Sequence, residues 1–142
     1  STLFPYTTLF RSPYRFGCCT FTGAAEAGGM GWDIVDSTQD PPVIKPGHPR
    51  NENEQAEHLV KMLKVFEAEG FLGASIYEFI SPSTPHTSNP QYDLDIASYA
   101  LCKVTRLRPD EEGSPYLWAP KKSFRAISSF YRALKGRTTL QG

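Results

Sequence analysis

From residue 52 to residue 69 the apolar positions Ala56, Leu59, Val60, Leu63 and Phe66 recur at i, i+3, i+4 and i+7, which predicts a helix with one buried stripe. Asn51 or Asn53 can cap its free N–H groups, Glu52 and Glu54 complement the positive end of its dipole, and Gly70 can take the left-handed conformation that ends it. A second stripe, Phe124, Ile127, Tyr131 and Leu134, begins at or just after Pro120, a residue favoured at the first helical position, and Gly136 is expected to end it. Lys121, Lys122, Arg125, Arg132 and Lys135 lie mostly off that stripe, which predicts a solvated outer face. Ahead of the first helix, residues 14–19 read as a short strand running through Gly17 into a loop. Directly behind it, residues 71–80 form a mostly apolar run of strand length, closed by Ser81-Pro82. Being apolar on both faces, that run suits a parallel sheet covered on both sides.

The connections are long. Residues 23–31 carry four glycines and read as an irregular loop. A dinucleotide fingerprint needs G-x-G-x-x-G between a strand and a helix, whereas Gly28-Gly29-Met30-Gly31-Trp32 leads into Asp33-Ile34-Val35-Asp36 and a proline-rich stretch. Residues 83–90 form a second long loop around His86, followed by a short helical or turn segment over 92–99. The order is therefore strand, loop, helix, twice over. Two consecutive βα units, each elaborated after its strand, predict an α/β chain that is part of a (β/α)₈ barrel, an incomplete domain because two units cannot close one. Residues 13–135 are assigned to that barrel fragment and 136–142 to a tail.

Fifteen basic and fifteen acidic side chains cancel, so no net field favours nucleic acid or an anionic membrane surface. No apolar run reaches the roughly 18 residues of a spanning helix. Cys18, Cys19 and Cys102 do not make a disulfide framework, which favours a reducing, cytoplasmic setting. Adjacent cysteines also lack the spacing of a zinc-binding pair, so neither a metal site nor a cofactor is expected. The first twelve residues, Ser1 to Ser12, are encoded without a mismatch by a string resembling a widely used sequencing adapter. They are expected to be non-native and are set aside from fold reasoning.

The ordered set Phe16-Gly17-Cys18-Cys19-Thr20-Phe21, Gly23-Ala24-Ala25, Gly28-Gly29-Met30-Gly31-Trp32, Ile34-Val35-Asp36, Glu52 with Glu54-Gln55, and Pro85-His86 with residues 93–99 (Asp-Leu-Asp-Ile-Ala-Ser-Tyr) resembles one family. It is similar, from about Phe16 to Tyr131, to the C-terminal part of barrel proteins often labelled abortive infection proteins, whose fold is like that of glycoside hydrolases. The resemblance implies that the two strands are the seventh and eighth of a barrel. It also implies a catalytic Glu at the end of the seventh, in a Thr-Glu-Phe-Gly-Cys-Cys motif. Here that position is Arg15, which is always protonated and cannot serve as a nucleophilic carboxylate. Arg15 is either a natural substitution or part of the junction after the adapter-like segment, and the junction is the preferred reading. The second carboxylate of such an enzyme would lie on a fourth strand that this chain lacks, so the fragment alone is expected to be inactive.

Glu78, near the end of the second strand, is a catalytic or sugar-binding candidate; alternatively it is a helix-facing or rim carboxylate paired with Lys or Arg. Trp32, Tyr77 and Phe79 are candidates to stack on a sugar, with core packing as the alternative, and His86, Asp93 and Asp95 either line the same site or pin a loop by hydrogen bonds. Two functions remain open. The parent acts on or binds carbohydrate, or it is a non-catalytic barrel serving interaction or phage defence. The fragment itself is expected to self-associate through open strand edges.

Overall fold

The computed structural model describes residues 14–71 and 73–141; the adapter-like residues 1–12 lie outside them. β1 (Tyr14–Phe16) pairs in parallel with β4 (Ala74–Ile76), Arg15 opposite Ser75 and Phe16 opposite Ile76. Between them lie α1 (Ala24–Ala27), a kinked 3₁₀ segment Gly28–Ile34, a small antiparallel pair β2 (Val35–Asp36) and β3 (Val43–Ile44), and α2 (Glu52–Ala68). The residue 23–31 segment is thus more regular than expected. The βα order itself is as read from the pattern: a mixed α/β arrangement with two parallel strands and helices after each.

The α2 stripe forms for the reasons its sequence gives. Asn51 Oδ1 accepts the Glu54 N–H at 3.0 Å, Ala56, Leu59, Leu63 and Phe66 are buried, and Gly70 adopts φ 73°. Phe16, Ala74 and Ile76 pack toward this helix side of the sheet, with the Phe16 and Phe66 rings edge to face at 5.0 Å. Arg15, Ser75 and Tyr77 are exposed on the other side, whereas Phe79, beyond the strand, turns its ring to Phe124 and Trp118. Alternation along a strand fixes these two faces, and among the described residues one of them is bare. Coverage is thus seen on one face among the described residues.

Two further expectations are corrected at the C-terminal helix, α3 (Lys122–Gln141). It runs through Gly136, whose backbone is not left-handed, so the glycine lowers helix propensity without terminating the helix. The helix thus extends into the residues assigned to a tail. Its inward face is Ser123, Phe124, Ile127 and Phe130 rather than one containing Tyr131, which is exposed. Lys121, expected on the solvated side, is fully buried.

The pattern also passed over an antiparallel hairpin, β5 (Cys102–Arg106) with β6 (Tyr116–Pro120), paired from Cys102–Pro120 to Arg106–Tyr116. Ile80 bridges to Cys102 in parallel, which joins the hairpin to the segment that follows β4. Among the described residues no helix is long and apolar enough to cross a membrane.

Candidate functional site

Beyond the C-terminal ends of β1 and β4 the chain gathers Trp32, Tyr77 and Glu78 around a cleft of about 200 Å³, completed by Gly29, Ser81, Thr84, Ser98 and Tyr99. Close backbone approach makes this possible. A Cβ on Gly17 would run into the Tyr77 carbonyl, and one on Gly31 would meet the sulfur of buried Cys19. Tyr77 N–H donates to the Phe16 carbonyl at 2.8 Å, extending the parallel ladder to the cleft. The Tyr77–Glu78 peptide is cis. Glu78 N–H donates to the Tyr99 carbonyl at 3.1 Å and its own carbonyl accepts from Leu101 N–H at 2.9 Å, which fixes the residue's backbone. Tyr99 Oη donates to the Gly28 carbonyl at 3.2 Å, and its ring lies 5.9 Å from that of Tyr77.

Trp32 and Tyr77 keep 48% and 47% of their surface exposed, so two aromatic faces are open to a ligand beside a half-buried carboxylate. No lysine or arginine among the described residues forms an ion pair with Glu78. The rim-pair alternative therefore has no partner there. A volume of 200 Å³ falls below the roughly 300–1,000 Å³ of ligand pockets, so the cleft has the size of one wall of a site. Arg15 lies on the same uncovered side of the sheet as Tyr77.

His86, Asp93 and Asp95 are brought together elsewhere, and their surroundings give them different work. His86 Nδ1 lies 3.0 Å from Asp93 Oδ1, and Thr87 N–H donates to the same oxygen at 3.3 Å. Arg50 Nη1 reaches Asp93 Oδ2 at 3.3 Å and Asp95 Oδ2 at 2.8 Å, while Lys121 Nζ lies 3.0 Å from Asp95 Oδ2 and donates to Thr20 Oγ1 at 3.2 Å. A cation would have ligand atoms of all three residues within 4.8 Å of one another, but two protein cations already neutralise the carboxylates. These side chains pin the loop after β4 to α2 and to the start of α3; the stacking cleft is formed without them.

The same aspartate acts differently on its two cations. Burial alone would lower the Arg50 guanidinium, yet Asp95, Asp93 and Glu52 raise it above its ordinary value. For Lys121 burial outweighs Asp95 and the pKa falls. The contrast is physical: the Arg50 side chain keeps 22% exposure and three acidic neighbours, whereas Lys121 has none of its surface in water. The glutamates of the Glu52–Gln55 motif are likewise structural. Glu52 accepts from the Lys122 N–H at 2.9 Å, and Glu54 accepts from Gly23 and Ala25 N–H at 3.1 and 2.9 Å. Gln55 donates to the Cys18 and Ala100 carbonyls at 2.9 and 3.1 Å and accepts from Ser123 Oγ at 2.7 Å.

Burial pushes Cys18 up to about 12 and Cys19 up to about 11, so neither thiol is a nucleophile near neutral pH. Sequence reasoning missed Ser81, Thr84, Ser98 and Tyr99 as cleft residues; Tyr99 and Ser98 stand in the motif of residues 93–99, and that was the available signal. It gave no signal for Arg50 or Lys121 as buried ion-pair partners. No family model matches the sequence, and a search of curated proteins gives no significant match.

Proposed function

We propose that β1 and β4 are the last two strands of a (β/α)₈ barrel, and that the cleft is part of the wall of a carbohydrate site at its C-terminal face. The observation that carries this reading is the meeting of Trp32, Tyr77 and Glu78 in one cleft beyond the ends of two parallel strands. Active sites of such barrels lie at that end, and exposed aromatic faces beside a hydrogen-bonding carboxylate suit the apolar face and hydroxyl rim of a sugar. Three buried free thiols support a reducing, cytoplasmic setting.

Within this reading the chain binds rather than hydrolyses. A glycosidase needs two carboxyl groups roughly 5–10 Å apart, and the cleft contributes one, Glu78, with Arg15 at the place where the family resemblance puts a nucleophile. A native Arg15, as opposed to a junction residue, would favour the second reading, a non-catalytic barrel serving interaction or phage defence, and an adapter-free read of the locus decides which it is.

Titration of the isotope-labelled chain with cellobiose, xylobiose and chitobiose tests the proposal. Saturable shifts at the Trp32 indole and the Tyr77 amide are expected with at least one of them. Trp32→Ala should weaken binding about tenfold, as loss of one stacked ring predicts. Absence of saturable shifts with all three, or shifts confined to Trp118, would sink it.

A further inference from the structure

The hairpin carries a surface that the cleft does not use. In β6, Tyr116, Leu117 and Trp118 are 41%, 63% and 53% exposed, and the strand from Tyr116 to Pro120 contains no charged residue. Its hydrogen-bonding groups can be assigned from the ladder. Leu107 N–H donates to the Pro115 carbonyl and Lys121 N–H to the Leu101 carbonyl, each at 2.9 Å. Hydrogen-bonded and non-hydrogen-bonded positions alternate in an antiparallel pair, so Leu117 and Ala119 bond to Thr105 and Lys103. The N–H and C=O of Tyr116 and Trp118 therefore point away from β5.

The opposite edge of the hairpin is already taken. Cys102 N–H donates to the Phe79 carbonyl at 3.0 Å, and the Val104 carbonyl accepts from His86 N–H at 2.7 Å. Among the described residues β6 has β5 as its single neighbour, leaving a free apolar edge. Such edges template pairing with another strand, and proteins that stay monomeric blunt them with charges. Here the blunting device is proline. Pro120, the next outward-facing position, has no N–H to offer, so pairing stops after Trp118.

We propose that β6 pairs antiparallel with β6 of a second copy of this chain. The register we assign sets Leu117 facing Leu117 across a two-fold axis, with Tyr116 of each copy bonded to Trp118 of the other, so that both N–H and both C=O groups of these two residues are used. A two-fold contact requires a surface that complements itself, and an edge offering the same donors and acceptors in both directions meets that condition. Tyr116 and Trp118 project to one face and Leu117 to the other, so each face of the joined ribbon gains an apolar cross-strand contact. Zero net charge leaves no long-range repulsion to oppose it. The inference is independent of the carbohydrate reading.

Sedimentation equilibrium of the full chain at high micromolar concentration should show a dimer. Leu117→Lys, which sets like charges face to face, should return it to monomer with an unchanged circular dichroism spectrum. Thr105→Lys, at an exposed position on the inner strand, should leave the dimer intact. Facing Leu117 residues would have Cα atoms about 4.5 Å apart, within disulfide range, so Leu117→Cys should cross-link under mild oxidation. Trp118→Cys should not, because Trp118 faces Tyr116. The native cysteines are buried and do not compete. A monomeric wild type, association that survives Leu117→Lys, or equal cross-linking of the two cysteine variants would each overturn the proposal.

Discussion

Asp95 has 1% of its surface exposed and serves Arg50, Lys121 and the hydroxyl of Ser98 at once. An isolated buried charge is costly, and Lys121 depends on this carboxylate for its neutralisation. Asp95→Asn should therefore cost about 3–5 kcal/mol, the penalty for breaking a buried pair and stranding one partner. Asp93→Asn should cost less, because Arg50 keeps Asp95 and Glu52. Urea unfolding of the two variants checks the order, and equal or negligible losses would contradict it. From the sequence the residue types and their spacing were visible, but an Asp-Leu-Asp run looks the same whether it faces a ligand or an arginine. Arg50 and Lys121 stand 45 and 26 residues from Asp95, so local pattern could not connect them.

Helix ends are where short-range sequence signals and tertiary contacts meet. The α2 start was legible because its cap, dipole charges and stripe all lie within a few residues of one another. Glu52 and Glu54 do more than complement their own helix, since they cap α3 and α1 from across the chain. Burial by itself would raise the Glu52 carboxyl, but the Lys122 N–H and Arg50 hold it below its ordinary value near 4.5. A depressed folded-state value means that the stabilisation is present above that ordinary value and is lost as pH falls below it. Glu52→Gln should thus flatten the fall in stability between about pH 5 and 3, measured by urea midpoints across that range. An unaltered pH profile would remove Glu52 from the acid response. The β5–β6 hairpin escaped pattern reading because its β6 strand is exposed along most of its length and lacks apolar–polar alternation.

At the scale of the molecule, one core joins both βα units: Cys18 and Cys19 behind β1 pack with Leu59 and Leu63 of α2, Ile96 and Ala97 of the second loop, and Ile127 of α3. The other side of the β1–β4 sheet carries exposed Arg15, Ser75 and Tyr77, and the rim of the sheet exposed Phe79 and Trp118. The chain should therefore bind an apolar dye such as ANS in native buffer, and Leu117→Lys should leave that binding in place because it acts on a different edge. Failure to bind the dye would mean that the bare face is covered in solution. The βα order, the α2 boundaries and the aromatic and acidic candidates can be read along the chain, because helix periodicity, caps and strand-length apolar runs are local properties. Tertiary structure alone decided which candidates share a cleft, which acids are neutralised by distant cations, and which strand face and edge stay bare. Each of those depends on contacts between residues far apart in the chain, and burial and charge pairing act through space rather than along sequence.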